Sequence, residues 1–326
     1  MLCIRSEQTD PYFNLASEEY LLKCIKEDVF LLYRNEPSIV VGKHQNTLAE
    51  INHSFVKEHG IKVARRISGG GTVFHDLGNL NFAFITAEKE GALVNYKKFT
   101  LPIIKALDSM GLKATLGDRN ELLLGELKIS GTASHVFKHR VIHHGTLLFS
   151  AAIDTLSAAL KMQPERFRDR AVKSIPSRVT NICDHLVDKI EIAEFQNRIY
   201  RYILDSMESN TRYNYNDEDL KGISQLRDSK FSTWQWNFGY SPKYHFNKVL
   251  KHESVRIELN MNVNKGIIQE VDIKGDFESV QDIRSLQKLL VGSIHDPETL
   301  RLRLSGIKVS DYISGLDNER FLSGMF

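Results

Sequence analysis

Three consecutive glycines, Gly69-Gly70-Gly71, sit inside strand-like sequence between Arg65 and Phe82 (RRISGGGTVFHDLGNLNF) and limit the possible folds more than any other stretch. Glycine in a strand gives up backbone entropy and has no side chain to pack, so such a run marks a bulge or a close backbone approach. Strand signals at 61–64 and 79–84 put the run in the connection between two strands. Two readings are open. The glycine N–H groups form a nest for an anion, with Arg65 and Arg66 presenting cationic forks beside it. Alternatively, the run is an ordinary bulge flanked by solvated arginines. No lysine follows the glycines at the spacing of a P-loop, so the segment is not one.

Around it, strands and helices interleave. Asp10-Pro11 opens a helix with Leu15, Ala16, Tyr20, Leu21 and Leu22 toward a core and Glu18 and Glu19 early in it. Short strands are expected at 29–33 and 38–41. Thr47-Leu48-Ala49-Glu50 reads as a capping box starting a helix that stops at Gly60, and a further helix is expected from Tyr96 to Ser109. From Glu121 onward the pattern is β: 122–124, 127–134 and 141–149. The C-terminal part predicts strands at 255–259 and 266–273 around Asn264-Lys265-Gly266, then helices at 280–290 and 297–304. The length of 326 residues suggests about two domains.

A net charge of +2 gives no argument for a nucleic-acid or membrane-surface partner. The N-terminus has no secretory apolar run, and no stretch approaches ~18 consecutive apolar residues. Cys3, Cys24 and Cys183 form neither a disulfide framework nor a zinc pattern. The expectation is a cytoplasmic protein in a reducing compartment.

Lys128 projects from a strand whose neighbours, ELLL and GTLLF, are strongly apolar. It is either an edge charge that discourages aggregation or a cation aimed into a polar site. Arg119-Asn120-Glu121 before it and His143-His144-Gly145-Thr146 after it add polar groups to the same region. Adjacent strand residues face opposite ways, so His143 and His144 do not share a metal ion, and no dedicated metal site is expected.

RRISGGGTVFHDLGNLNF, then KISGTAS and HHGTLLF, together resemble the signature of the lipoate-protein ligase A family. NLASEE (14–19), SIVVGKHQN (38–46), SRVTN (177–181) and WQWNFG (234–239) extend the resemblance over essentially the whole chain. It implies an α+β fold: a catalytic domain of the biotin/lipoate-ligase type, a mixed sheet with helices, over 1–245, and a small α/β accessory domain over 246–326. It also implies a reaction. The lipoate carboxylate attacks the α-phosphate of ATP, giving lipoyl-AMP and pyrophosphate, and a lysine of a lipoyl carrier domain then takes the acyl group.

By the resemblance, Lys128 is the essential lysine, contacting the lipoate carboxylate and the adenylate phosphate. Arg66 contacts nucleotide and substrate, and Gly71, Thr72, Val73 and Phe74 hold the adenylate through their backbone. Ser68, Gly70, His75, Asn79 and His144 line the lipoate pocket, to which Leu15 contributes. Arg178 is a contact in a loop over the adenylate or merely a surface charge. Magnesium is expected with ATP, held mainly by the phosphates. The implied partners are lipoyl domains of 2-oxoacid dehydrogenase E2 subunits or the glycine-cleavage H protein, and a monomer is expected. Where many members have glycine and then Arg-Asn-Asp, this chain has Asp118 and then Arg119-Asn120-Glu121, which bears on the role of Glu121. The competing readings are a lipoyltransferase using preformed lipoyl-AMP, a biotin ligase, a thiol-dependent octanoyltransferase and a non-catalytic adenylate-binding module. The biotin ligase lacks support because its alternating Gly-Arg loop is not seen, and the octanoyltransferase because no cysteine lies near either glycine-rich segment or the histidine pair in the sequence.

Overall fold

The computed structural model describes residues 1–87, 94–160, 164–252 and 255–326. The strands in chain order are β1 (Leu2–Arg5), β2 (Val29–Arg34), β3 (Ser38–Val41), β4 (Lys62–Arg65), β5 (Val73–His75), β6 (Asn79–Ala87), β7 (Ala114–Leu116) and β8 (Leu122–Leu124). They continue as β9 (Leu127–Ser130), β10 (Thr132–Phe137), β11 (Arg140–Leu148), β12 (Phe167–Asp169), β13 (Thr211–Arg212), β14 (Tyr244–His252), β15 (Val255–Asn264) and β16 (Ile267–Asp276). The chain packs as two compact units, each α+β. The first is Met1–Lys43, Glu58–Ala159 and Ser174–Thr233; the second is His44–Lys57, Leu160–Lys173 and Trp234–Phe326. Two excursions from the segment expected to be wholly catalytic thus pack in the second unit.

The first unit is built on a six-stranded mixed sheet, ordered β10-β11-β6-β2-β1-β13, with three-stranded sheets β4-β3-β5 and β7-β8-β9. One side of the large sheet is sealed by helices Tyr96–Asp108 and Ile192–Asp205, through Phe99, Ile103, Leu107, Phe195 and Ile199, all buried in one cluster with Phe30, Phe82 and Phe84. Helix Tyr96–Asp108 runs through Pro102. Its N-terminal cap is Asn95, whose side chain accepts from the Lys98 N–H.

The helix Pro11–Cys24 is capped by Asp10 and has no acidic residue in its first turn. Glu18 and Glu19 lie in its middle, buried, so their role is not the macrodipole one expected. The expected strand 127–134 is two strands. It breaks at Gly131, where β9 leaves the β7-β8 sheet and β10 joins the large one. Thr146 on β11 clasps the break: its Oγ accepts from the Gly131 N–H, and its N–H donates to the Gly131 carbonyl.

The second unit is an antiparallel sheet, β12-β14-β15-β16, covered by helices Ile283–Leu290, Pro297–Leu304 and Asn318–Ser323. Alternate residues of β15, Ile257, Leu259, Met261 and Val263, are buried against Leu286, Leu290 and Leu300, the two-residue period expected of a half-buried strand. Lys265 (φ 51°) and Gly266 (φ 73°) make the tight turn between β15 and β16, as positive φ at both central positions favours. The predicted single helix 47–60 is instead two short ones, Thr47–Glu50 and His53–Glu58. The cap position is Asn46, without a side-chain cap bond, and not Thr47 as expected, whose hydroxyl donates to the Asn237 carbonyl.

Candidate active site

In the first unit β3 pairs in parallel with β4 and antiparallel with β5, so the connection Arg66–Thr72 must double back along the end of β3. Arg65 is fully buried and its Nη1 donates to the carbonyls of Gly42 (3.0 Å) and Lys43 (3.1 Å); it presents no fork to solvent, unlike the sequence expectation. Arg66 turns inward as well. Its Nη2 donates to the carbonyls of Gly69 and Gly71, both at 2.7 Å, its Nη1 to Val40 O at 3.1 Å and its Nε to Ser68 Oγ at 3.1 Å. The glycine loop is therefore wound around a guanidinium of its own. Burial lowers that group to about 10, still far above neutrality, so it keeps its charge.

Two glycines make this winding possible. Gly70 has φ +92°, a region that side chains disfavour. A Cβ on Gly42, at the end of β3, would lie 2.1 Å from the Gly70 carbonyl oxygen. The Lys43 N–H donates to Ser68 O at 2.8 Å and the Thr72 N–H to Ser174 Oγ at 2.8 Å, closing both ends of the loop. Val73 and Phe74 follow on β5, an edge strand of its sheet, so one row of their backbone groups faces away from β3.

Beneath the loop lies a buried polar chain. His144, on β11, donates from Nδ1 to the Glu18 carboxylate (2.8 and 2.9 Å), and its Nε2 is 2.6 Å from Ser68 Oγ. Ser68 already accepts from Arg66, so its own proton points to Nε2. Tyr33 also donates to Glu18, at 3.0 Å, and burial beside that carboxylate pushes its phenol well above the usual value. His143 faces the other side of the strand, stacked on Phe99 at 4.2 Å, so the two histidines are divided as strand geometry requires.

His75 is buried too. Its Nδ1 accepts from the Asn35 amide at 2.9 Å, while its Nε2 has no hydrogen-bond partner among the described residues. Burial first, then the neighbouring Arg66 and His144, depress it to about 3. The folded protein therefore refuses a proton that the unfolded chain takes up below about 6.5. Stability gains nothing from this group above that pH and falls as pH drops from about 6.5 toward 3, by at most about 1.4 kcal/mol per unit. His75→Gln is expected to flatten the fall in melting temperature between pH 6.5 and 4; an unchanged profile would reject the assignment. Asn79 and Leu15 are buried as well, and Asn79 Oδ1 is another polar atom without a partner among the described residues.

Lys128 lies on β9, where a register irregularity sets it opposite Leu123. Its backbone is flanked on the other side by the SRVTN segment: Lys128 N–H donates to Arg178 O (3.0 Å) and Thr180 N–H to Lys128 O (3.1 Å). Arg178 itself is exposed. The Lys128 side chain folds over Gly131, whose Cβ, if present, would sit 3.5 Å from Nζ. Burial lowers the ammonium, countered by the Glu121 carboxylate and reinforced by Arg119. The Glu121 Oε2 is buried without a partner among the described residues.

The geometry thus brings Arg66, Ser68, His75 and His144 together and sets the Arg178 segment beside Lys128. Sequence reasoning missed Glu18, Tyr33, Gly42 and Ser174 as parts of this site. Glu18 and Gly42 stood in quoted motifs, but a mid-helix carboxylate reads as surface until its partner on a distant strand is known.

Comparison with known proteins gives a consistent result. Residues 10–204 match the family described as the lipoyl protein ligase A/B catalytic domain, and residues 241–325 match the bacterial lipoate protein ligase C-terminus. Lipoate–protein ligase 1 of Staphylococcus aureus (strain Mu50) is 42% identical over 96% of each chain. Lipoate-protein ligase LplJ of Bacillus subtilis (strain 168) is 40% identical over 96% of each. A crystal structure of lipoate-protein ligase A bound with ATP superposes with a TM-score of 0.64 at 25% identity, covering 73% of this chain and 98% of that one.

Proposed function

From the premise that the chain belongs to the lipoate-protein ligase A/B family, we propose how its residues divide the work of an ATP-dependent lipoate-protein ligase. Such an enzyme joins two anions, a carboxylate and a triphosphate, so the site must supply fixed positive charge and exclude competing water. The observation that supports the reading is that one unit holds both a partly buried lysine, Lys128, and a glycine loop whose carbonyls are tied from within by Arg66.

Lys128 stands between the lipoate carboxylate and the α-phosphate, stabilising the charge that moves from one to the other. Arg66 adds its positive field and shapes the loop, and the backbone of Gly71, Thr72, Val73 and Phe74 approaches the adenylate. Ser68, Gly70, His75, Asn79 and His144 line the lipoate side, and Leu15 adds apolar surface for the dithiolane tail. The backbone of Arg178 braces Lys128. Magnesium would arrive on the ATP phosphates; Glu121 Oε2, which has no hydrogen-bond partner among the described residues, would suit it, because this ion is commonly held by one or two carboxylates plus phosphate and water. We assign catalysis to 1–245 and an accessory role to 246–326, although His44–Lys57, Leu160–Lys173 and the chain from Trp234 onward pack in the second unit. The acceptors are lipoyl domains of 2-oxoacid dehydrogenase E2 subunits or the glycine-cleavage H protein. We place the enzyme in the cytoplasm as a monomer; among the described residues no helix is long and apolar enough to cross a membrane.

Mass spectrometry of a purified lipoyl domain after incubation with the protein, ATP, magnesium and lipoate tests the reading. The expected outcome is addition of one lipoyl group with release of pyrophosphate. Modification from synthetic lipoyl-AMP but not from ATP and lipoate would instead identify a lipoyltransferase.

A further inference from the structure

We infer that Glu18 is a positioning residue for the nucleotide-binding loop, acting through His144, Ser68 and Arg66. The inference rests on the reading of Gly71–Phe74 as the seat of the adenylate. Each link is a direct contact: Glu18 to His144 Nδ1, His144 Nε2 to Ser68 Oγ, Ser68 Oγ to Arg66 Nε, and Arg66 Nη2 to the carbonyls of Gly69 and Gly71. The chain runs from the middle of the first helix to the loop without leaving the buried interior.

Charge supports the same direction of influence. Arg66 is a buried cation, and Glu18 is the foremost charge opposing the effect of that burial. The two opposite charges terminate one hydrogen-bonded chain, with a histidine and a serine between them. An amide in place of the carboxylate removes the charge and can offer an N–H as well as an oxygen to Nδ1, so His144 is no longer held in one tautomer and Ser68 loses the fixed acceptor toward which it directs its proton. Ser68 can then rotate, and the Arg66 Nε–H loses a fixed partner. The consequence reaches the loop as backbone freedom at Gly69–Gly71, where no side chain restrains it.

A serine, a histidine and a carboxylate in this order also occur in acyl-transfer enzymes that use the serine as nucleophile. Here the Arg66 Nε–H occupies a lone pair of Ser68 Oγ, and Ser68 is completely buried. Such an oxygen is a poor nucleophile and a good tie.

The test uses the full chain with a non-hydrolysable ATP analogue in the absence of lipoate, so that pocket effects on the acyl substrate do not enter. Wild type, Glu18→Gln, Ser68→Ala and the double variant are compared for analogue affinity and for backbone hydrogen exchange. Each single variant is expected to weaken the analogue about tenfold, and the double variant to be no weaker than the poorer single by more than about threefold, the mark of residues acting in one chain. Exchange should quicken at Gly69–Thr72 and stay unchanged in β15 and β16. Unchanged affinity and loop exchange in Ser68→Ala, or effects that multiply in the double variant, would overturn the inference. Should Glu18→Gln fail to fold, Ser68→Ala decides alone, since it cuts the chain without disturbing the buried carboxylate. A wild-type protein that does not bind the analogue would reject the adenylate assignment, and loop exchange would still report on the tie.

Discussion

Lys128→Ala is expected to slow acyl-adenylate formation by about a hundredfold to a thousandfold, the roughly 2.7–4 kcal/mol that one donor at a developing charge supplies. The magnitude follows from the setting. An ammonium in bulk water would be screened, whereas this one is lowered by burial and lies over Gly131, so its field acts in a medium of reduced dielectric. Pyrophosphate release measured with ATP, magnesium and lipoate checks the loss. Melting temperature should hardly move, because the Nζ gives no hydrogen bond to another described residue. Lys128→Arg keeps the charge but replaces a compact donor by a planar fork, and it is expected to recover little. The pH profile adds a second check. A lysine whose value is lowered loses its proton earlier on the alkaline side, so the rate should fall as pH rises, starting below the pH at which a free lysine would titrate. Equal rates for wild type and Lys128→Ala would end the assignment.

Gly42→Ala is the second large effect. The added carbon would stand 2.1 Å from the Gly70 carbonyl oxygen and 3.1 Å from its carbon, and a backbone group cannot yield as a flexible side-chain tip would. Gly70 has to move, and it carries the loop with it. Overpacking of this kind costs about 1–3 kcal/mol in stability. The larger loss should be functional: displaced carbonyls at Gly69 and Gly71 no longer fit the Arg66 guanidinium, and analogue affinity is expected to drop by more than about tenfold. Gly69→Ala is the comparison, since a Cβ there meets nothing within 4 Å. If Gly42→Ala binds the nucleotide analogue as wild type does, the loop does not depend on this contact.

Local chemistry explains which parts of this were legible in the sequence. Ser38–Val41, Leu122–Leu124 and Pro297–Leu304 were readable to the residue because apolar runs and a proline or turn residue bound them directly. The break at Gly131 was not, because the strand signal of KISGTAS continues across it and only Thr146, fifteen positions later, reveals the change of sheet. The glycine loop and Lys128 stood out through residue type alone. The inward turn of Arg65 and Arg66 could not, since a cation beside glycines has the same sequence whether it faces a ligand or a carbonyl. Glu18 was hidden for a similar reason: its partner, His144, is 126 positions away.

An arginine that hydrogen-bonds the carbonyls of its own loop also alters the entropy of recognition. A glycine-rich segment that ordered only around its ligand would give up on the order of 1 kcal/mol or more per residue at the moment of binding. Here that ordering is charged to folding instead, and a nucleotide meets amides already in place. The binding energy so conserved remains available for drawing two anions together, where the reaction needs it most.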